Sequence, residues 1–482
     1  MNKGLFFLVA ILLVQSCRQP EPVHEDAERY RVIIMTDQTH DDGNSLIRYL
    51  YYSPWFDTEA IIVTNQLPDY DYDDEAPWEK AQSILSAYQK EYDQLVLHNP
   101  GFPTYEELLS VTKRGRGALP IIWLTEEGGF EGLIADRHVK SSWGEIRFSD
   151  WIGEGNNPNG EPKDSEGSEF LQEVFDKDDD RPIFVQMWGG PVTFVQALYR
   201  YRQRQGEEKF RDLMDKLHIY GIHLQDITFD FMIDLDRVRE TGCLHMGETT
   251  STRDGERHAP GWFLLDEGHF WKYIEAVDYR QVAGHGPLSD LYDHGGEGDT
   301  PAFLYLVSAA LGLNDPLDPA QGSWGSMFAP MGEDFPDNYY HTCPVDQNEL
   351  ERWIEDATSS FMARLQWSVR EPGEVNREPV AVINGYSGNS VIYKKAEPGS
   401  ELQLDATGSY DPDGDIISFI WFHYNEASDY RGSINIRDND TAIAKADIPV
   451  DIGDNELHIV LELRDDGKPS LVSYSRVIIS AR

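Results

Sequence analysis

Cysteine is scarce in this chain: three in 482 residues, at Cys17, Cys243 and Cys343. So few cannot form a disulfide framework, and no Cys/His spacing suited to zinc is present. Basic residues are also few. Lys and Arg number 41 against 85 Asp and Glu, for a formal charge of −44. Such a balance repels nucleic acid and anionic lipid, which removes nucleic acid as a partner and leaves neutral ligands, cations or a sugar. Long apolar runs are missing too, apart from residues 5–14, a stretch too short to span a bilayer. No internal repeat is visible. What is present suffices for large cores: 12 Trp, 24 Tyr and 21 Phe within a hydrophobic fraction of 40%. At this length roughly two to three domains are expected.

The N-terminus has Lys3, then the short apolar stretch, then Val14-Gln15-Ser16-Cys17. This pattern resembles a bacterial lipoprotein signal. The resemblance implies a signal over residues 1–16, acylation of Cys17, and a linker over 17–29. An exported protein held on the bacterial membrane by its lipid is the expected location. Export would permit Cys243 and Cys343 to pair, although spacing alone does not join them.

Along the mature chain, apolar β-type runs at residues 31–35, 60–63, 120–124, 182–187 and 217–222 alternate with helical patterns at 42–52, 78–92 and 191–199. Alternation of this kind predicts an α/β fold, a mostly parallel sheet flanked by helices, over residues 30–370. A Gly-, Asn-, Pro- and Asp-rich loop spans 153–166, and a last helix is expected over 348–369. Residues 371–379 (Glu371-Pro372-Gly373 through Glu378-Pro379) read as a linker. Short alternating strands with Gly, Asn and Asp turns then predict a small antiparallel β-sandwich over 380–482. The change of pattern suggests that this sandwich folds apart from the rest.

In a parallel sheet, ligands sit at the carboxyl ends of the strands. The first strand opens into Asp37-Gln38-Thr39-His40-Asp41-Asp42-Gly43. Three carboxylates in six residues repel one another unless a cation lies between them. Oxygen ligands of this kind suit calcium. An acidic turn with Asp41 or Asp42 capping a helix accounts for the same residues. Asn65 follows the second strand, Gly190-Pro191-Val192-Thr193 follows a later one, and Glu297-Gly298-Asp299-Thr300-Pro301 lies far along.

Taken together, these segments resemble the nucleoside hydrolase family, whose first strand ends in an Asp-x-x-x-Asp-Asp motif matched by Asp37, Asp41 and Asp42. The resemblance implies a calcium ion held by Asp37, Asp42, the Thr193 carbonyl and Asp299. It also implies that Asp37 activates the attacking water, and that Asp41 and Asn65 hold sugar hydroxyls. The sequence departs from that family in two places. Thr39-His40 replaces a Pro-Gly pair, and Gly298 stands where members carry the His that protonates the leaving group. The sugar-binding Glu-Phe-Asn segment is echoed only in Thr228-Phe229-Asp230.

Over most of the chain, Asp164-Ser165-Glu166-Gly167-Ser168-Glu169, His285-Gly286-Pro287-Leu288 and Gly322-Ser323-Trp324-Gly325 resemble exported bacterial "cellulose-binding" proteins. These join a nucleoside-hydrolase-like domain to a β-sandwich. Residues 404–415, ending Asp411-Pro412-Asp413-Gly414-Asp415, are similar to the opening of PKD-type immunoglobulin-like modules. Those three Asp residues read as a turn.

The leading expectation is an exported glycosidase-type hydrolase. Calcium is its cofactor, and a nucleoside or a saccharide is its substrate. Asp37 is the base, and Asp41, Asn65, His40 and Asp230 face the sugar. The competing expectation is a carbohydrate-binding surface lipoprotein that retains the fold without the catalysis. Trp123, Trp143, Trp151 and Trp188 are suited to stack on sugars, but buried aromatics more often fill cores. Glu126-Glu127 reads as an acidic surface turn.

Overall fold

The computed structural model describes residues 29–38, 40–64, 75–116, 138–141, 144–147, 152–157, 160–222, 251–253, 256–258, 261–265, 277–330, 339–341 and 348–482. Among the described residues, eight strands build the main sheet: β1 (Tyr30–Thr36), β2 (Phe56–Val63), β3 (Thr112–Arg114), β4 (Ile183–Met187), β5 (Leu217–Ile222), β6 (Gly261–Leu265), β7 (Ala329–Pro330) and β8 (Tyr339–His341). Their order is β7-β8-β6-β5-β4-β1-β2-β3. Every neighbouring pair is parallel except β7–β8 at one edge. The helices around it are α1 (His40–Tyr52), α2 (Ala76–His98), α3 (Tyr105–Val111), α4 (Glu166–Phe175), α5 (Pro191–Lys216), α6 (Pro301–Ala310) and α7 (Asn348–Leu365).

Successive side chains of a strand point to opposite faces. Val32, Ile34, Ile61, Val63 and Phe184 join one core with α1, α2, α6 and α7. Ile33, Met35, Ile62 and Val185 are equally buried and point the other way. There Gly167 of α4 approaches Ile62, and Phe175 meets Phe194 of α5 edge to face at 5.9 Å. Burial on both faces is why these strands read as unbroken apolar runs rather than alternating ones. Four of the five expected strands are β1, β2, β4 and β5; the fifth, at 120–124, lies outside the described residues. In the 164–169 motif, Ser165 caps α4 with Ser168. Asp164 accepts from Arg200 and Gln196 at 2.6 Å each.

The C-terminal strands are β9 (Ile392–Ala396), β10 (Glu401–Asp405), β11 (Ser418–His423), β12 (Ile436–Arg437), β13 (Ile443–Asp447), β14 (Leu457–Arg464) and β15 (Val472–Ala481). They form a sheet β9-β15-β14-β11 and a sheet β10-β13-β12. The pairs are antiparallel, with the exception of β9 beside β15. Leu404, Trp421, Ala444, Leu457, Ile459, Leu461 and Val477 fill the space between the sheets. Asp411 Oδ1 accepts from the amides of Asp413 and Asp415 at 2.8 and 3.1 Å, the turn expected of that spacing.

β14 and β15 bury both of their faces. Leu457, Ile459 and Leu461 point into the sandwich, whereas Val460, Val472 and Tyr474 belong to the core of the main domain. The Tyr474 hydroxyl donates to Asp356 at 2.9 Å and accepts from Trp324 Nε1 at 3.2 Å. The Tyr474 amide donates to the Leu311 carbonyl at 2.8 Å. Arg476, fully buried, donates to the Leu313 carbonyl at 2.6 Å and to His458 Nδ1 at 3.0 Å. The stretch read as a linker is tied down as well. Val375 and Asn376 are buried, and Glu378 accepts from Arg364 at 2.5 Å. A sandwich that folds apart from the rest does not fit this shared core.

Candidate functional site

The strand ends of β1, β2, β3 and β4 converge on one place. The Thr64 amide donates to the Thr36 carbonyl at 2.8 Å, Gly115 to Val63 at 2.7 Å, and Trp188 to Met35 at 2.9 Å. Past β1 the chain turns through Gln38, whose φ of +56° is rare for a residue with a side chain. The turn lets α1 start at once. Thr36 Oγ1 and the Asp37 amide both donate to Asp42 Oδ1, at 2.5 and 3.1 Å, so the first turn of α1 is tied to the strand end. Asp37 is 3% exposed. A Cβ on Gly189 would lie 2.6 Å from Asp37 Oδ2, and one on Gly190 would collide with Thr64. The glycine pair after β4 is therefore required by the close approach of its neighbours.

Asp299 arrives from a loop that α1 itself holds. Arg48 lies four residues after Asn44 and three after Ser45, so α1 turns all three toward the same loop. Asn44 Nδ2 donates to the Gly296 carbonyl at 2.8 Å, and Asn44 Oδ1 accepts from the Asp293 amide at 2.9 Å. Ser45 and Thr300 hydroxyls are 2.9 Å apart. Arg48 pairs with Glu297 at 2.5 Å, both buried, and Tyr292 donates to the same carboxylate at 2.8 Å. Asp299 precedes α6, and Asp41 and Asp42 lie in the first turn of α1. Helix N-termini favour negative charge there.

Asp41, Asp42 and Asp299 bring carboxylate oxygens within 4.8 Å of one another. Asp299 is 2% exposed, and its Oδ2 has no hydrogen-bond partner among the described residues. Burial, with Asp42, Asp41 and Asp37 nearby, pushes its carboxyl well above the usual range. A buried, uncompensated carboxylate costs several kcal/mol. This arrangement therefore calls for a proton or a cation, and an all-oxygen donor set suits a hard divalent ion. The group is able to hold a metal.

The close group is thus Asp41, Asp42 and Asp299; Asp37, expected as a ligand in place of Asp41, adjoins it through the hydrogen bond its amide donates to Asp42. Thr193 lies in the first turn of α5, fully buried, and its hydroxyl accepts from the Arg116 amide at 2.7 Å. His40 begins α1, but its side chain lies outside what is described. Asn65, Asp230, Cys17, Cys243, Cys343, Trp123, Trp143, Trp151 and Glu126-Glu127 also lie outside the described residues. Trp188 is fully buried, in the core. Gly298 is buried in the Asp299 loop.

Residues 31–328 match the family model described as cellulose-binding Sde182, nucleoside hydrolase-like domain. This chain belongs to that family. Residues 401–481 match the family's second model, the C-terminal domain of cellulose-binding protein Sde0182. A solved structure from Saccharophagus degradans, a nucleoside hydrolase-related hypothetical protein associated with carbohydrate metabolism, is 30% identical. That match covers 94% of this chain and 100% of the other, with a TM-score of 0.67. The PKD domain from KIAA 1837 protein matches 19% of this chain and 81% of its own, at 17% identity and a TM-score of 0.16. No curated protein matches. Within the family's nucleoside-hydrolase-like fold, reading the sequence did not reveal Lys80, Asn44, Arg48 or Glu297. Lys80, Asn44 and Arg48 lie outside the motifs read from the sequence, and Glu297 stood in one of them with no role of its own. Helical spacing along α1 is the signal that would have found two of them.

Proposed function

We propose that this protein is an exported, lipid-anchored hydrolase of glycosyl bonds that depends on calcium. Its substrate would be a saccharide or an N-riboside, and the family's cellulose-binding description favours the saccharide. The observation that carries this reading is the buried, unpartnered oxygen of Asp299 beside the Asp37–Asp42 turn. Asp37, Asp42, Asp299 and the Thr193 carbonyl would hold the ion. When bound, it supplies Lewis acidity that makes a water easier to deprotonate. Asp37 would take the proton of the attacking water as its oxygen bonds to the anomeric carbon and the glycosyl bond breaks, the electron pair of that bond going to the leaving group. Asp41, with Asn65, His40 and Asp230, holds sugar hydroxyls.

A second reading is favoured by Gly298. The side chain that protonates the leaving group in nucleoside hydrolases has no counterpart at this position, which suits a glycan-binding protein without catalysis. General acid catalysis typically contributes about 10²- to 10⁴-fold, so natural nucleosides should turn over slowly if at all. Activated glycosides such as p-nitrophenyl ribosides or hexosides release p-nitrophenolate, which departs without protonation, and they separate the two readings. With calcium present, at least one should be cleaved, and Asp37→Asn should abolish cleavage while calcium stays bound. A calcium-loaded protein that cleaves none of them would reject the hydrolase and favour the binder.

A further inference from the structure

Lys80 is a cation built into the carboxylate cluster from a separate helix. Along α2, Pro77, Ala81, Ile84, Leu85 and Tyr88 form the buried stripe, and Lys80 lies four residues before Ile84. Helical phase therefore turns its side chain inward, toward α1. Its Cε and Nζ rest on Gly43, so closely that a Cβ there would collide with both. Gly43 sits in the first turn of α1, between Asp42 and Asn44. Glycine inside a helix costs roughly 0.5–1 kcal/mol relative to alanine, and here it opens the space through which an ammonium reaches the acidic turn. Lys80 interacts electrostatically with Asp293, Asp42, Asp41 and Asp37. Burial lowers its pKa, and those four carboxylates act in the opposite direction.

We infer that Lys80 is a resident counter-cation of this cluster, one that competes with a bound metal ion and sets how tightly the ion is held. The inference rests on the metal reading above. Asp37, Asp41, Asp42 and Asp299 carry four formal negative charges when ionised. Without metal, the Lys80 ammonium offsets one of them. With a divalent ion in place, ammonium and ion repel each other across a partly buried space, where charges are weakly screened. The lysine thus stabilises the metal-free protein and weakens the loaded one, which makes the site exchangeable rather than permanently filled.

The test is calcium binding to the mature chain after chelator stripping, by titration calorimetry. Lys80→Met should bind calcium at least about tenfold tighter than wild type, and Lys80→Arg, which keeps the charge, should stay close to wild type. In chelator, Lys80→Met should melt below wild type, and saturating calcium should shrink the gap. A merely structural lysine would lower both melting points equally and leave the affinity alone. Should Lys80→Met fold poorly, Gly43→Ala displaces the ammonium with a better helix former and should tighten binding in the same direction. Unchanged or weaker affinity in Lys80→Met, or in Gly43→Ala should Lys80→Met fail to fold, overturns the inference while wild-type binding keeps the metal site. Binding by Lys80→Met but not by wild type supports it. Binding by neither overturns both.

Discussion

Replacing Tyr474 by Phe removes one oxygen atom from the seam between the two halves of the molecule. The ring stays, together with its edge-to-face contact with Trp353 at 5.5 Å and with Trp324 at 6.4 Å. Two hydrogen bonds go. The bond to the Asp356 carboxylate is of the stronger, charged kind, and the Trp324 indole N–H is left without its partner. Arg464 still holds the other oxygen of Asp356 at 2.6 Å, so the carboxylate keeps a counter-charge. A charged hydrogen bond contributes about 1.5–3 kcal/mol and an unpaired buried donor costs about 1–3 kcal/mol. Because the two share one hydroxyl and do not simply add, a loss of about 2–4 kcal/mol is expected. Urea unfolding of the mature chain, followed by tryptophan fluorescence and far-ultraviolet circular dichroism, measures it. Both halves should unfold in one transition, with the midpoint lowered and the slope unchanged. Two separate transitions of which only one moves, or a loss under about 0.5 kcal/mol, would refute the idea of a single cooperative core.

Two further predictions follow from other residues. His458 is 5% exposed beside Arg476, and burial, then the guanidinium, hold its pKa at about 3. A depressed histidine stabilises the fold fully above about pH 6.5. That stability, at most about 5 kcal/mol, is lost as pH falls toward 3. His458→Gln should therefore flatten the acid side of a stability-versus-pH profile, and an unchanged slope would discount the shift. Wild-type protein in a bacterial host should take up labelled palmitate and sediment with membranes, while Cys17→Ser should do neither. A wild type that stays soluble and unlabelled would remove the anchor.

The sheet was legible because strands buried on both faces leave uninterrupted apolar runs, as in Val32-Ile33-Ile34-Met35 and Ala60-Ile61-Ile62-Val63. Most of the carboxylate cluster was legible for a related reason. Asp37, Asp41 and Asp42 follow a strand directly, where side chains must meet whatever the sheet presents. Lys80 was not legible, because only the pitch of α2 and a missing Cβ at Gly43 bring it to the cluster. Nor was the Arg48–Glu297 pair, since charged residues default to the surface unless a partner far along the chain is known. The seam between the halves was hidden by its own chemistry. His458, Glu462 and Arg464 on β14 look like an ordinary polar outer face, yet His458 is buried and Arg464 reaches Asp356 of α7. Residues 380–383, where the expected sandwich begins, make only isolated bridges, Val380 with Tyr410 and Ile383 with Tyr386.

A strand that is interior on both sides has almost no position free to drift. Along the middle of β14 any exchange would be felt by one core or the other: Ile459 and Leu461 answer to the sandwich, His458 and Val460 to the larger domain. Small β-sandwiches are commonly shuffled between extracellular proteins as portable units, and this one is poorly suited to such traffic. Spliced onto another protein, it would carry Tyr424, Val460, Val472 and Tyr474 into water as an adhesive apolar face. Cut away, it would leave Trp324 and Trp353 bare on the remaining half. Inheritance as one piece follows from this wall, and the Saccharophagus degradans relative, matched over its whole length, shares both halves.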